Sequence, residues 1–127
     1  MYELHVEETF SAAHSLRGYR GKCEALHGHN WRVEVSVRSA RLDKLGMVMD
    51  FADLKAALRK LLDDFDHKHL NDDVPAFGEG GVNPTTENIA TVIADGMAGQ
   101  MPESASVSSV RVWESDRSSA EWTPEKA

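Results

Sequence analysis

Tyr2-Glu-Leu-His-Val-Glu-Glu-Thr-Phe-Ser-Ala-Ala-His14 and His27-Gly-His-Asn-Trp-Arg-Val-Glu-Val-Ser-Val-Arg38 decide the fold of this chain. In the first stretch the even positions include Leu4, Val6, Phe10, Ala12 and His14, and the odd ones include Glu3, His5, Glu7, Thr9 and Ser11. Alternation with a period of two is the mark of a strand with one buried face. In the second stretch His27, His29, Trp31, Val33, Val35 and Val37 alternate against Asn30, Arg32, Glu34, Ser36 and Arg38, which predicts a second strand of the same kind.

Outward from these strands the period changes. Leu54, Leu58, Leu61, Leu62 and Phe65 recur every three or four residues, the spacing of an amphipathic helix, with Asp50 placed to cap it. After a loop rich in Asp, Gly, Asn and Pro, a second helix is expected from Thr86, carrying Ile89, Val92, Ile93 and Met97 and ending near Gly99 and Pro102. Val110, Val112 and Glu114 then alternate with Ser109, Arg111 and Trp113 as a third strand, and Ala120 and Trp122 mark a short fourth. The order predicts a single α+β domain over 1–127, a four-stranded antiparallel sheet in ββααββ order with two helices on one face.

At 127 residues, 41% hydrophobic and 28% charged, the chain has the composition of one globular domain. Its net charge of -7 argues against a nucleic-acid or anionic-membrane surface, because both require clustered Lys and Arg. The alternating N-terminal stretch is unlike a signal peptide or a spanning helix. One cysteine, Cys23, suits a reducing compartment, and a cytoplasmic location is expected.

Three histidines stand where the strand pattern calls for apolar residues: His14 closes the inward row of the first strand, and His27 and His29 open that of the second. Residues two apart on a strand point the same way, so the rings of His27 and His29 converge, and His14 joins them from the neighbouring strand. Three neutral imidazoles with an open fourth position are the ligand set of a catalytic zinc site. Nitrogen donors also admit iron, nickel or copper, and hydrogen-bonded core histidines are the plain alternative.

Cys23 lies four residues before His27, where a thiol beside a dication loses its proton more readily. Base, fourth metal ligand and inert buried thiol all fit that spacing. Asp66-His67 follows the first helix; an Asp there orients an imidazole for proton transfer, or the two make local helix-end hydrogen bonds. His5 and His69 are read as locally hydrogen-bonded. Glu114 extends the apolar row of Val110 and Val112, and an inward carboxylate needs donors. A planar heterocycle with an amidine-like N–H edge supplies two; Arg111 or Lys126, or a solvent-exposed strand end, would serve instead.

Six blocks stand in order along the chain: Phe10-Ser-Ala-Ala-His14, Cys23-Glu-Ala-Leu-His27-Gly-His29-Asn30, Gly46-Met-Val-Met-Asp50-Phe51, Asp66-His67-Lys-His-Leu70-Asn71, Pro84-Thr85-Thr86-Glu87-Asn88 and Val112-Trp-Glu114. Together they resemble the 6-pyruvoyl-tetrahydropterin synthase and 6-carboxytetrahydropterin synthase family. The resemblance implies a tunnelling fold whose subunits assemble as a homohexamer, a dimer of trimers with active sites between subunits. It implies one Zn2+ per subunit on His14, His27 and His29, with Cys23 as proton acceptor and Asp66 and His67 as a relay. Glu114 would anchor a reduced pterin triphosphate and share in catalysis, and Thr85, Thr86 and Glu87 would line the ring pocket. The three residues between Cys23 and His27 resemble the 6-carboxytetrahydropterin branch of queuosine biosynthesis rather than the pyruvoyl branch. Arg17, Arg20, Lys22 and Lys68 are scattered candidates for the triphosphate. A module that binds metal and pterin without turnover is the competing reading.

Overall fold

A computed structural model of the chain describes residues 1–19 and 25–125; Cys23, Arg20, Lys22 and Lys126 lie outside the described residues. In chain order the elements are β1 (Tyr2–His14), β2 (His27–Ser39), α1 (Phe51–Asp63), β3 (Lys68–His69), α2 (Leu70–Asp73), α3 (Thr86–Ala98), β4 (Ser106–Ser115) and β5 (Ser118–Trp122), with a 3-10 turn at Pro75–Phe77. The alternating stretches form β1 and β2 as expected, and they pair antiparallel with Phe10 opposite Trp31, Ala12 opposite His29 and His14 opposite His27. β4 pairs antiparallel with β2, and β5 with β4.

The sheet differs from the expected four antiparallel strands. It has five, in the order β3-β1-β2-β4-β5, and it is mixed, because β3 runs parallel to the end of β1 at Ala12 and Ala13. A third helix, α2, sits in what reads as a loop. Two bridged residues and one helical turn are too short to carry a period, so the ββααββ order leaves them out. What holds them is tertiary: Leu70, Val74 and Phe77 are buried in the core, and the His67 N–H donates to the Ser11 carbonyl at 2.6 Å.

The two long helices lie on one face, α1 against β1 and α3 against β4 and β5. Asp50 caps α1 by accepting from the Ala52 N–H at 2.8 Å, and Thr85 caps α3 by accepting from the Asn88 N–H at 3.1 Å. Gly96 lets the helices approach: a Cβ there would stand 3.0 Å from the Leu61 methyls. Between the layers Val33, Val35, Leu54, Leu58, Ile93 and Val110 are fully buried. None of the described helices is long and apolar enough to cross a membrane.

The inward row of the sheet changes character at one end. Phe10 stacks on Trp31 with ring centroids 5.8 Å apart, and beyond Trp31 the row continues as His29 and His27. The apolar core therefore ends in a histidine cluster with an indole as its floor. Because Leu58 is fully buried between the layers, Leu58→Ala is expected to cost about 2 to 5 kcal/mol. Lys55→Ala on the exposed side of α1 should stay within about 0.5 kcal/mol, and thermal unfolding of the two variants checks the contrast.

Candidate metal centre

β1 and β2 deliver His14 and His27 as directly opposed residues, with His29 two positions along, so all three rings share one face. The Nε2 atoms of His14 and His27 are 3.1 Å apart, and ligand atoms from all three residues lie within 4.8 Å of one another. Backbone carbonyls orient two of the rings. His14 Nδ1 is 2.8 Å from the Pro84 carbonyl and His27 Nδ1 is 2.9 Å from that of Ala25. A carbonyl only accepts, so both Nδ1 atoms carry the proton and both Nε2 lone pairs face each other. Two lone pairs at that distance repel unless a cation stands between them. His29 Nε2 is buried with no hydrogen-bond partner among the described residues. This donor set fits a metal with nitrogen preference, and each carbonyl is the outer partner that fixes a ligating tautomer.

Burial lowers the His14 pKa below the ordinary histidine value, opposed in part by the Pro84 carbonyl and reinforced by the charge of His27. The neutral, ligating form is thus favoured. Trp31 stands beneath the rings, 5.0 Å from His14 and 5.2 Å from His29, with its N–H donating to the Ala12 carbonyl at 3.2 Å.

Glu114 comes to the centre from β4. The β4–β5 register shifts between Trp113 and Ser115, a bulge at which a side chain is re-aimed. Its carboxylate lies 3.7 Å from His29 Nε2 and 3.9 Å from His14 Nε2, and accepts from the Thr86 hydroxyl at 3.3 Å. Arg111 is occupied elsewhere, bonded to Ser119 and stacked near Trp113. Thr86, Glu87, Glu114 and Ser118–Ala120 line a cavity of about 260 Å³. Thr85 stays at the helix cap beside it.

Asp66 and His67 come from the segment leading into β3, on the side of β1 away from β2, and His67 shares the lining of one cavity with His29. His67 Nδ1 is 3.1 Å from Asp66 Oδ1, and the Ser11 N–H donates to the same oxygen at 2.8 Å. That backbone donor, with His67 and Arg59, lowers the Asp66 pKa, so the carboxylate is ionised. His67 adopts φ 59, a left-handed geometry, and its side chain is 83% exposed. His69 bonds Asp72 locally at 2.9 Å, whereas His5 bonds Ser36 across the β1–β2 pair at 2.6 Å. The Arg17 guanidinium is spent on the Phe77 and Val82 carbonyls at 2.7 and 2.9 Å.

Sequence reasoning missed the Pro84 and Ala25 carbonyls, which any residue would supply. It also missed Asn71 and Asn83, whose amides clamp Ser15 and Arg17 by paired backbone hydrogen bonds and so hold the chain after His14 against the segment leading to Pro84.

A tri-histidine group that could hold a metal ion, beside a carboxylate and on a sheet backed by two helices, marks a small α+β protein with a candidate metal centre. The chain belongs to the 6-pyruvoyl tetrahydropterin synthase family, whose model matches residues 3–125. The 6-carboxy-5,6,7,8-tetrahydropterin synthase of Synechocystis is 44% identical over 98 residues, 73% of this chain and 72% of that protein. The 6-pyruvoyl tetrahydrobiopterin synthase of Poecilia reticulata is 39% identical over 123 residues, 87% of this chain and 82% of that one. The solved structure of 6-pyruvoyl tetrahydropterin synthase from Caenorhabditis elegans gives a TM-score of 0.82 at 25% identity, covering 98% of this chain and 96% of that one.

Each of His14→Ala, His27→Ala and His29→Ala is expected to abolish tight metal binding, measured by elemental analysis after dialysis. The lowered pKa of His14 sets the sign of the pH dependence. As pH falls below the usual value of about 6.5, the unfolded chain takes up the proton before the folded one does, so acidification weakens both the metal-free fold and metal retention. Thermal unfolding of metal-free protein between pH 8 and pH 5 should show the midpoint falling, and falling less in His14→Asn.

Proposed function

We propose that this chain is a zinc-dependent 6-carboxy-5,6,7,8-tetrahydropterin synthase of queuosine biosynthesis. It would convert 7,8-dihydroneopterin triphosphate and water to 6-carboxy-5,6,7,8-tetrahydropterin, acetaldehyde and triphosphate. The observation that carries the reading is the open three-nitrogen centre of His14, His27 and His29 beside Glu114 and its acid-lined cavity.

The chemistry is internally balanced. The ring gains two electrons and the three-carbon side chain loses two, while one C–C bond and the C–O bond to triphosphate break and water supplies the second carboxylate oxygen. No external oxidant enters, so the protein's task is to move protons between carbon and oxygen. Zinc on the three imidazoles would supply Lewis-acid polarisation of the side-chain oxygens. Cys23 takes a proton from the side-chain carbon. Ionised Asp66 holds His67 through its Nδ1–H, leaving Nε2 to pass a proton on. Glu114 and Glu87, with Thr85 and Thr86 at the mouth, accept the N–H edge of the ring and fix which carbon meets the base.

The geometry of one copy supports sharing the site between copies. His67 projects from the far edge of β1, beside side chains that alternate to the face opposite the histidine rings. A relay from one subunit serving the centre of another removes that separation, as in a homohexamer built as a dimer of trimers. The β1 edge from Tyr2 to Thr9 and the outer edge of β5 have no partner strand among the described residues, and such edges invite pairing. A cytoplasmic location goes with this reading, since a lone thiol base must stay reduced.

The pyruvoyl reaction is the second reading, favoured by the Poecilia relative; the short spacing from Cys23 to His27 favours the carboxy product. Metal-replete protein given dihydroneopterin triphosphate should yield 6-carboxytetrahydropterin and acetaldehyde by mass spectrometry. 6-Pyruvoyltetrahydropterin without acetaldehyde would move the chain to the other branch, and no turnover would make it a binding module. Cys23→Ala should lower kcat about 10²- to 10⁴-fold with zinc content unchanged.

A further inference from the structure

Ser11 and Asn30 belong to the motif blocks, yet no role above uses their side chains. They are cross-strand partners on β1 and β2, one register step from the pair Ala12 and His29, so they face away from the core and the histidine rings. Ser11 joins three groups. Its N–H holds Asp66, its carbonyl accepts from the His67 N–H, and its hydroxyl donates to Asn30 Oδ1 at 2.7 Å. With its oxygen occupied, the Asn30 carboxamide turns its two Nδ2 hydrogens elsewhere, and no partner takes them among the described residues.

These groups sit in a cavity of about 530 Å³ lined by residues 11–13, 28–30 and 67–69. Small side chains at Ala13 and Gly28 open it, and His67, Lys68 and His69 form its rim. Among the described residues it is lined by no carboxylate, in a chain of net charge -7. Four other surface cavities each carry at least two carboxylates. Three acids bond lining residues: Asp66 and Asp72 hold the Nδ1 atoms of His67 and His69 at 3.1 and 2.9 Å, and Asp73 accepts from the His69 N–H at 2.9 Å.

The substrate of the proposed reaction has two chemically opposite ends. Its ring edge offers N–H donors and suits the cavity of Glu87 and Glu114; its triphosphate is a polyanion that those carboxylates would repel. We infer that the outer-face cavity is the subsite for the triphosphate, with the Asn30 carboxamide, oriented by Ser11, donating to phosphate oxygens beside His67. Since His67 is the relay group in the proposed mechanism, donors next to it meet the same side chain one or two bonds further toward its phosphates. The inference rests on the proposed function for the identity of the substrate, and Ser11 acts through Asn30 as a positioning residue.

The test is calorimetric titration of the zinc-loaded protein with inorganic tripolyphosphate, and separately with unphosphorylated dihydroneopterin. Wild type, Asn30→Asp, Asn30→Ala and Ser11→Ala are compared, with metal content and thermal unfolding as controls. Asn30→Asp, the same shape with a repelling charge, is expected to weaken tripolyphosphate binding at least about tenfold, the scale of a charge-assisted hydrogen bond, and to leave dihydroneopterin binding unchanged. Asn30→Ala and Ser11→Ala should weaken it less, and in steady state Asn30→Asp should raise KM more than it lowers kcat.

Tripolyphosphate affinity equal in wild type and Asn30→Asp overturns the subsite, as does equal weakening of both ligands. Binding that vanishes in chelator-treated protein and ignores Asn30→Asp is capture by the metal and overturns it too. If tripolyphosphate binds through Asn30 while dihydroneopterin triphosphate is not turned over, the subsite stands and the reaction fails.

Discussion

Two unprotonated imidazole nitrogens pointed at each other across 3.1 Å, at the buried end of a sheet, are the constraint on which the rest of this molecule depends. Each is held there because the opposite nitrogen of its ring donates to a main-chain carbonyl, Pro84 for His14 and Ala25 for His27. The arrangement is unfavourable without a cation and strongly favourable with one. It makes the core strands, the α3 entry segment and Ala25 just before β2 answer to a single point in space.

Much of the remaining architecture reads as support for that point. Trp31 supplies a rigid floor and is anchored by its own N–H. Asn71 and Asn83 imitate strand pairing along the chain that leaves His14, and Arg17 ties the same chain to the Phe77 and Val82 carbonyls. A bulge in β4 brings Glu114 beside the rings, and the first turn of α3 adds Thr86 and Glu87. The polar groups divide by chemistry: carboxylates gather on the core-side cavity, and donors gather on the outer-face cavity around Ser11 and Asn30. The substrate proposed above, with an N–H donor edge and a polyanionic tail, would use that division, and a single copy presents the two halves on different parts of its sheet.

The amino-acid sequence by itself determined the long strands of the core, the long helices and the rows that carry the three histidines, because each depends on periodicity. Period two put His14 in the row of Phe10 and His29 in the row of Trp31, and the antiparallel register that sets His14 opposite His27 then brought the three rings together. The Asp50 cap was legible for a local reason too, since its own side chain accepts from the backbone N–H two residues on. Tertiary structure alone decided β3 and α2, which are shorter than any period, and the carbonyls of Pro84 and Ala25, which have no side-chain signature. It also decided where His67 returns to the sheet, beside β1 on the side away from β2. Adjacency in sequence says nothing about which edge of a sheet a loop returns to; that is set by which backbone donors are free, here the Ser11 N–H and the amide of His67 itself.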